Sequence, residues 1–190
     1  MKENTKWIIT TFMLTFMLAL LFGGVSNVVI EKLNIILAIL VLVAVVVIGI
    51  LFDMIGMAIA TCDEAPFHAK AAKKAGGAKE VLRLLKSKDR ATNICNDLLG
   101  DICGIVSGSA GALISVKLAV ILEIDVVMVS LVLSAIIAAV TVCGKALGKG
   151  ISMKNAEAIM SVVGGIIHII APVKEKNKPN KKENKEKETK

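Results

Sequence analysis

The chain has 190 residues, 55% of them hydrophobic, with three prolines, no tyrosine and a formal net charge of +7. A mean hydropathy of +0.75 lies outside the range of soluble globular domains and within the membrane class. The basic residues stand between and after the apolar runs, where anionic headgroups meet them, which argues against nucleic acid as a partner. Four cysteines without a short-loop framework do not form a secreted disulfide scaffold and read as free thiols.

Trp7 to Val25 is uncharged and Leu33 to Phe52 is dominated by Ile, Leu and Val. At about 1.5 Å per residue each spans roughly 30 Å of hydrocarbon. Lys2 and Lys6 precede the first run, so a signal peptide is the alternative. The run is long for an h-region, however, and Gly23-Gly24-Val25-Ser26 is only a loose cleavage site. A retained, added helix over 1–32 is the expectation.

The second run continues through Asp53 to Thr61 and stops at Cys62-Asp63-Glu64-Ala65-Pro66, where carboxylates and a proline suit a helix start. A basic linker, 62–92, follows. Gly76-Gly77 divides it into two short helices, and Val81, Leu82, Leu84 and Leu85 give the second an apolar side. A third crossing is expected from near Ile94 to about Val116 and a fourth from Val126 to Cys143. Gly148 and Gly150 then loosen the chain before a juxtamembrane helix over 155–172. That helix is expected to rest in the interface or pack beneath the bundle, with a fifth crossing as the alternative. The segment 174–190 holds almost only Lys, Glu, Asn, Pro and Thr and is expected to be disordered, with an excess of lysine for anionic lipid.

The reading is thus an all-α integral membrane protein of four transmembrane helices, with cytoplasmic linker helices and an interfacial helix. The positive-inside rule sets the linker, the tail and both termini in the cytoplasm of a cell-membrane protein.

Carboxylates inside such runs are costly and mark function or pairing. On the third crossing Asn96, Asp97, Gly100, Asp101, Gly104, Ser107 and Gly108 fall within a few turns, with Asp97 and Asp101 as i,i+4 neighbours. Gly104 and Gly108 have the small-xxx-small spacing of close helix packing. This predicts a polar stripe turned inward, whose oxygens suit a hard divalent cation such as Mg²⁺. The plainer reading leaves Asp97 and Asp101 solvated at the membrane edge, while Asp53 sits deeper. His68 and His168 have no spaced partner and read as structural. Cys62, Cys95, Cys103 and Cys143 lack the spacing of a metal site, and no catalytic constellation or phosphate loop appears, so an enzyme is not expected.

The segment Val142-Cys143-Gly144-Lys145-Ala146-Leu147-Gly148-Lys149-Gly150 through Asn155-Ala156-Glu157 is similar to the one closing the transmembrane domain of the CNNM/CorB/CorC family of Mg²⁺ transport proteins. Ile55-Gly56-Met57-Ala58-Ile59-Ala60-Thr61 lies where that family carries Gly-Ser-Glu-Thr-Ala, and Asn96 lies where it has Gly-Asn. The likeness covers 33–173. It implies a homodimer that holds dehydrated Mg²⁺ with side-chain and backbone oxygens at interrupted helices and exchanges it for Na⁺. By it Asn96 and Gly144 become candidate metal ligands, joined by Asp53, Asp97 and Asp101.

The chain departs from that pattern. Gly56 stands for the serine, Met57 for the first glutamate, and Lys145 for the glutamate beside Gly144. A lysine about 4 Å from the ion opposes it by roughly 4 kcal/mol at an effective dielectric near 20. The CBS nucleotide-binding pair of the family is missing too, so nucleotide gating within this chain is not expected. The alternative function is therefore a non-transporting membrane adaptor or regulatory subunit. In it Lys145 neutralises the former ion site, and the partners are lipid or a separate cytoplasmic protein.

Overall fold

A computed structural model of the chain describes residues 2–170, with side chains from Ile8 onward. The lysine-rich segment expected to be disordered lies outside these residues. The described chain is helical in every element: α1 (Lys2–Lys32), α2 (Ile35–Thr61), α3 (Ala65–Ala72), α4 (Ala78–Leu85), α5 (Lys88–Asn93), a π-helical segment (Ile94–Leu99), α6 (Gly100–Leu122), α7 (Val126–Lys154) and α8 (Ala156–Ile170). Four helical stretches are long and apolar enough to cross a membrane: Ile8–Lys32, Ile35–Thr61, Lys88–Leu122 and Val126–Lys154. Their mean hydropathy reaches 2.2, 3.6, 2.0 and 2.7 respectively. In the first and last, none of the most apolar window is buried within the chain, so Phe12, Leu20, Val127 and Leu131 present bare hydrocarbon to the surroundings.

Among the four long helices α2 packs against α6 and α7, α6 against α7, and α1 against α6; α6 runs antiparallel to α2 and α7, while α2 and α7, like α1 and α6, run parallel. The Leu33-Asn34 and Glu123-Asp125 connections share one end. There Glu123 closes α6 in the left-handed conformation (φ 56°), and Asp125 Oδ1 caps α7 by accepting from the N–H groups of Val127 (2.8 Å) and Met128 (3.3 Å). Ile30, Ala38, Leu42, Val46, Ala110 and Ile114 form the core at this end.

Lys117 fixes the α1–α2 corner. Its ammonium donates to the carbonyls of Ile30 (2.7 Å), Glu31 (2.9 Å) and Leu33 (2.6 Å), two in the last turn of α1 and one just beyond it, where carbonyls run short of helical donors. Lys117→Met keeps the stem and removes all three bonds. A loss of about 2–3 kcal/mol is expected, less than the sum of three charge-assisted bonds because water partly replaces them. It is measurable as a lower melting temperature in detergent micelles, and an unchanged melt would make the contact incidental.

The short helices gather at the opposite end. Ala58, Ile59 and Cys62 close α2 onto Phe67 of α3, Val81 and Leu85 of α4, Ala91 of α5, and Ala156 and Met160 of α8. Lys70 ties α3 to α8, reaching Glu157 Oε1 and Ser161 Oγ at 2.9 Å each while its ammonium lies 4.8 Å from the Phe67 ring centroid. The linker therefore contains three short helices, one more than the glycine pair alone suggests. At 15 residues, α8 reaches only about 22 Å, and it packs against α2 and α4.

Two boundaries differ from the sequence reading. No loosening occurs at Gly148 or Gly150, and α7 runs unbroken to Lys154. The reason is packing: a Cβ on Gly148 would lie 2.6 Å from Met54 Cγ, and one on Gly144 would strike Ile50 Cδ1. The glycines let α2 and α7 approach. The third stretch starts earlier than expected, at Lys88, and its entry is π-helical rather than α-helical.

Candidate polar site within the bundle

α2 carries a buried acid among its apolar neighbours. Asp53 is 4% exposed and lies between Gly49 and Gly56, at intervals that put all three on one helix face. Gly49 abuts Cys103 of α6, and Gly56 abuts Asn96 of the π-helical segment so closely that a Cβ there would collide with Asn96 Oδ1. The face of α2 bearing Asp53 thus looks toward the π-helical segment and the start of α6. Such segments add one residue to a turn, re-aim side chains, and recur at functional sites. Asn96 is the residue so aimed.

Two oxygens here are buried without a hydrogen-bond partner among the described residues, Asp53 Oδ2 and Asn96 Oδ1. Buried acceptors of this kind cost about 1–3 kcal/mol each. The nearest counter-charge is Lys149 of α7, whose ammonium is 3.8 Å from Asp53 Oδ2. That is a Coulombic contact too long for a hydrogen bond. The lysine side chain keeps 45% of its surface exposed against 6% for the aspartate, so its far end has room to leave. Lys145, the residue singled out in the sequence, is elsewhere. Its ammonium lies beside Gly100, 3.6 Å from where a Cβ would stand. Among the described residues no carboxylate forms an ion pair with it. The signal for Lys149 was present, as it follows Lys145 by one helical turn, but choosing between them required the register of α7 on α2.

The other candidates separate. Asp97 and Asp101 are exposed and line a cleft of about 310 Å³ against Thr10, Thr11 and Thr15 of α1 and Asn93. They do not face Asp53. Gly104 and Gly108 meet nothing within 4 Å where their Cβ atoms would be. They border an open groove of about 280 Å³ with Ser134 and Thr141 of α7. The expected single inward stripe is thereby corrected. At about 100° per residue, seven positions from 96 to 108 encircle the helix; of those on α6 only Gly100 and Ser107 are buried, on a line that continues through Ile102, Val106, Ala110 and Ile114. Gly144 stands apart from these. It lies inside an unbroken α-helix, where its carbonyl is committed to the i+4 N–H, and its open face receives Ile50.

Among the described residues no three His, Cys, Asp or Glu side chains gather in a geometry that would hold a metal ion. All four cysteines are free. Burial pushes the Cys62 thiol up, with the Lys88 ammonium partly opposing, which keeps it protonated and a poor ligand. His168, read as lacking a partner, has one: its Nδ1 is 2.8 Å from Oε1 of the buried Glu80. The two residues are 88 apart in the chain, so no spacing rule could have paired them.

No family model, no curated protein and no solved structure matches this chain.

Proposed function

We propose that the protein is a multi-pass membrane protein that binds and passes a hard divalent cation, Mg²⁺ in the first instance, at the contact of α2, the π-helical segment and α7. The observation that carries this reading is the pair of buried, unpartnered oxygens, Asp53 Oδ2 and Asn96 Oδ1. Mg²⁺ takes oxygen ligands and keeps several waters when few side chains are offered. A largely hydrated ion held by one carboxylate and one amide oxygen fits this donor set better than the dehydrated ion of the CNNM/CorB/CorC domain. Lys149 then stands in for the cation when none is bound. The exposed Asp97 and Asp101 form an acidic mouth that concentrates cations, and Na⁺ is the candidate counter-ion for exchange.

The basic helices α3 to α5 and both termini lie in the cytoplasm on this reading, with α8 in the interface, since Lys and Arg accumulate at that end. The open Gly104–Gly108 groove is offered to a second copy, giving a homodimer. The role is binding and transport rather than catalysis.

Metal-dependent uptake into proteoliposomes tests the proposal. Asp53→Asn is expected to reduce Mg²⁺ flux at least about tenfold, the loss of roughly 1.4 kcal/mol or more of ion stabilisation. Asp97→Asn combined with Asp101→Asn is expected to slow uptake only a few-fold and only at low ionic strength, as for charges that steer rather than bind. Equal flux through wild type and Asp53→Asn removes the site.

The 3.8 Å Lys149–Asp53 contact favours a second reading, a membrane adaptor in which the pair is permanent and no ion passes. Purified protein would then bind no Mg²⁺ whichever residue stands at 149.

A further inference from the structure

A buried oxygen without a partner recurs one turn beyond the Asp53–Lys149 contact. Among the described residues five side-chain oxygens are sealed from solvent and unpaired, Asp53 Oδ2, Asn96 Oδ1, Asn27 Oδ1, Thr92 Oγ1 and Ser152 Oγ, and no side-chain nitrogen shares that state. Asn27 and Thr92 are half-buried residues. Ser152 of α7 is 0% exposed.

A serine inside a helix ordinarily satisfies itself by donating to the carbonyl three or four residues earlier. The other two buried serines do so, Ser107 to Gly104 at 3.0 Å and Ser115 to Ala112 at 2.7 Å. Ser152 makes no such bond, so its hydroxyl carries a cost that alanine would avoid. An unsatisfied polar group in a native core points to an occupant or a role that the resting contacts do not show.

The helix register puts this hydroxyl on the cation site's side of α7. Ser152 stands three residues beyond Lys149 and seven beyond Lys145, so the three share a face. α7 runs parallel to α2 with Gly144 at Ile50 and Gly148 at Met54, and the next turn brings Ser152 level with Ala58, itself 0% exposed. Ala58 lies about 7.5 Å along α2 from Asp53, toward the end that holds α3 to α5.

The chemistry of the oxygens indicates what passes. A Mg²⁺ that keeps its waters turns only hydrogen-bond donors outward, and what receives it is a set of acceptors. A serine oxygen with both lone pairs uncommitted is one. We propose that Ser152 Oγ is a second station for the hydrated cation, one turn beyond Asp53, which accepts from the water shell of the ion in transit. The oxygen is sealed in this packing, so the station opens as α7 shifts on α2. This inference rests on the cation reading of the Asp53 site and adds to it a residue that acts on passage rather than on binding at rest.

The test compares wild type with Ser152→Ala in three measurements: Mg²⁺ affinity by calorimetry, Mg²⁺ flux into proteoliposomes, and melting temperature in micelles. Ser152→Ala is expected to keep the affinity within about twofold and to lower flux about fivefold, as for one lost hydrogen bond. It should melt no lower than wild type, because the hydroxyl it removes has no partner in the folded protein. Undiminished flux in Ser152→Ala overturns the station and leaves the Asp53 site standing. A fall in affinity equal to the fall in flux overturns it too, since the hydroxyl would then belong to the resting site. A lower melt shows the hydroxyl bonded in the fold and assigns it a structural role instead. Absence of Mg²⁺ binding and flux in wild type removes the cation reading itself, and the station with it.

Discussion

Gly77→Ala is expected to separate α8 from α4 and to cost the protein about 3–4 kcal/mol, the upper range for a single substitution. Two effects add. The position has φ 83°, where an L side chain costs about 1–2 kcal/mol. A Cβ there would also lie 2.5 Å from the carbonyl carbon of Gly164 and 2.7 Å from both its oxygen and the nitrogen of Gly165. These are backbone atoms, with no rotamer to turn away, so relief requires the helices to part and to loosen Met160 and Val81, both fully buried between them. Gly164→Ala meets the same crossing from the other side, 2.5 Å from Val81 Cγ2 and 2.6 Å from the Gly77 oxygen. Gly76→Ala is the control. Its Cβ would make an ordinary 3.5 Å contact with His168, and its melt should stay near wild type. For a chain of this size the difference corresponds to roughly 10 °C in melting temperature, readable by circular dichroism in micelles. Similar melts for the two variants would mean that the Gly77–Gly164 crossing does not hold α8 in position.

That contrast marks the limit of what was legible in the chain. Four long apolar stretches, the acidic connection at Glu123-Asp125, the break at Gly76-Gly77 and a short final helix all follow from hydropathy and turn residues, because these are local properties. Gly76 and Gly77 look alike in sequence, yet only one touches another backbone, and its partner is far along the chain. The same holds for the site. Asp53 stood out because a carboxylate between apolar turns is conspicuous anywhere, and Asn96 through a motif. Which lysine answers Asp53 was not legible, since Lys145 and Lys149 share a helix face and differ by one turn. Nor could a polar stripe read at α-helical spacing allow for the extra residue in the turn at Ile94–Leu99, which directs Asn96 toward α2 while Asp97 and Asp101 face α1.

Lys149→Gln is expected to raise the apparent affinity for Mg²⁺ about tenfold while leaving the bundle intact. A unit charge 3.8 Å from the Asp53 carboxylate is worth about 4 kcal/mol at an effective dielectric near 20. Exposure of nearly half the lysine side chain screens most of that, leaving roughly 1–2 kcal/mol, or about tenfold in binding. On the transport proposal the gain appears because Lys149 competes with the ion for the same oxygens. Asp53→Asn must abolish the effect, and the double variant should bind no better than Asp53→Asn alone, since the lysine then has no carboxylate to contest. A stability cycle on the same variants reports on the alternative. If the pair is a fixed counter-charge in an adaptor, each single substitution strands a buried or half-buried partner and lowers the melt. Asp53→Leu combined with Lys149→Met then restores it, as replacement of a buried ion pair by apolar groups commonly does. In that case neither wild type nor Lys149→Gln binds Mg²⁺ by calorimetry. Tighter binding in Lys149→Gln that vanishes with Asp53→Asn assigns the lysine as a tethered competitor of the cation, and stability coupling without metal binding assigns it as structural charge.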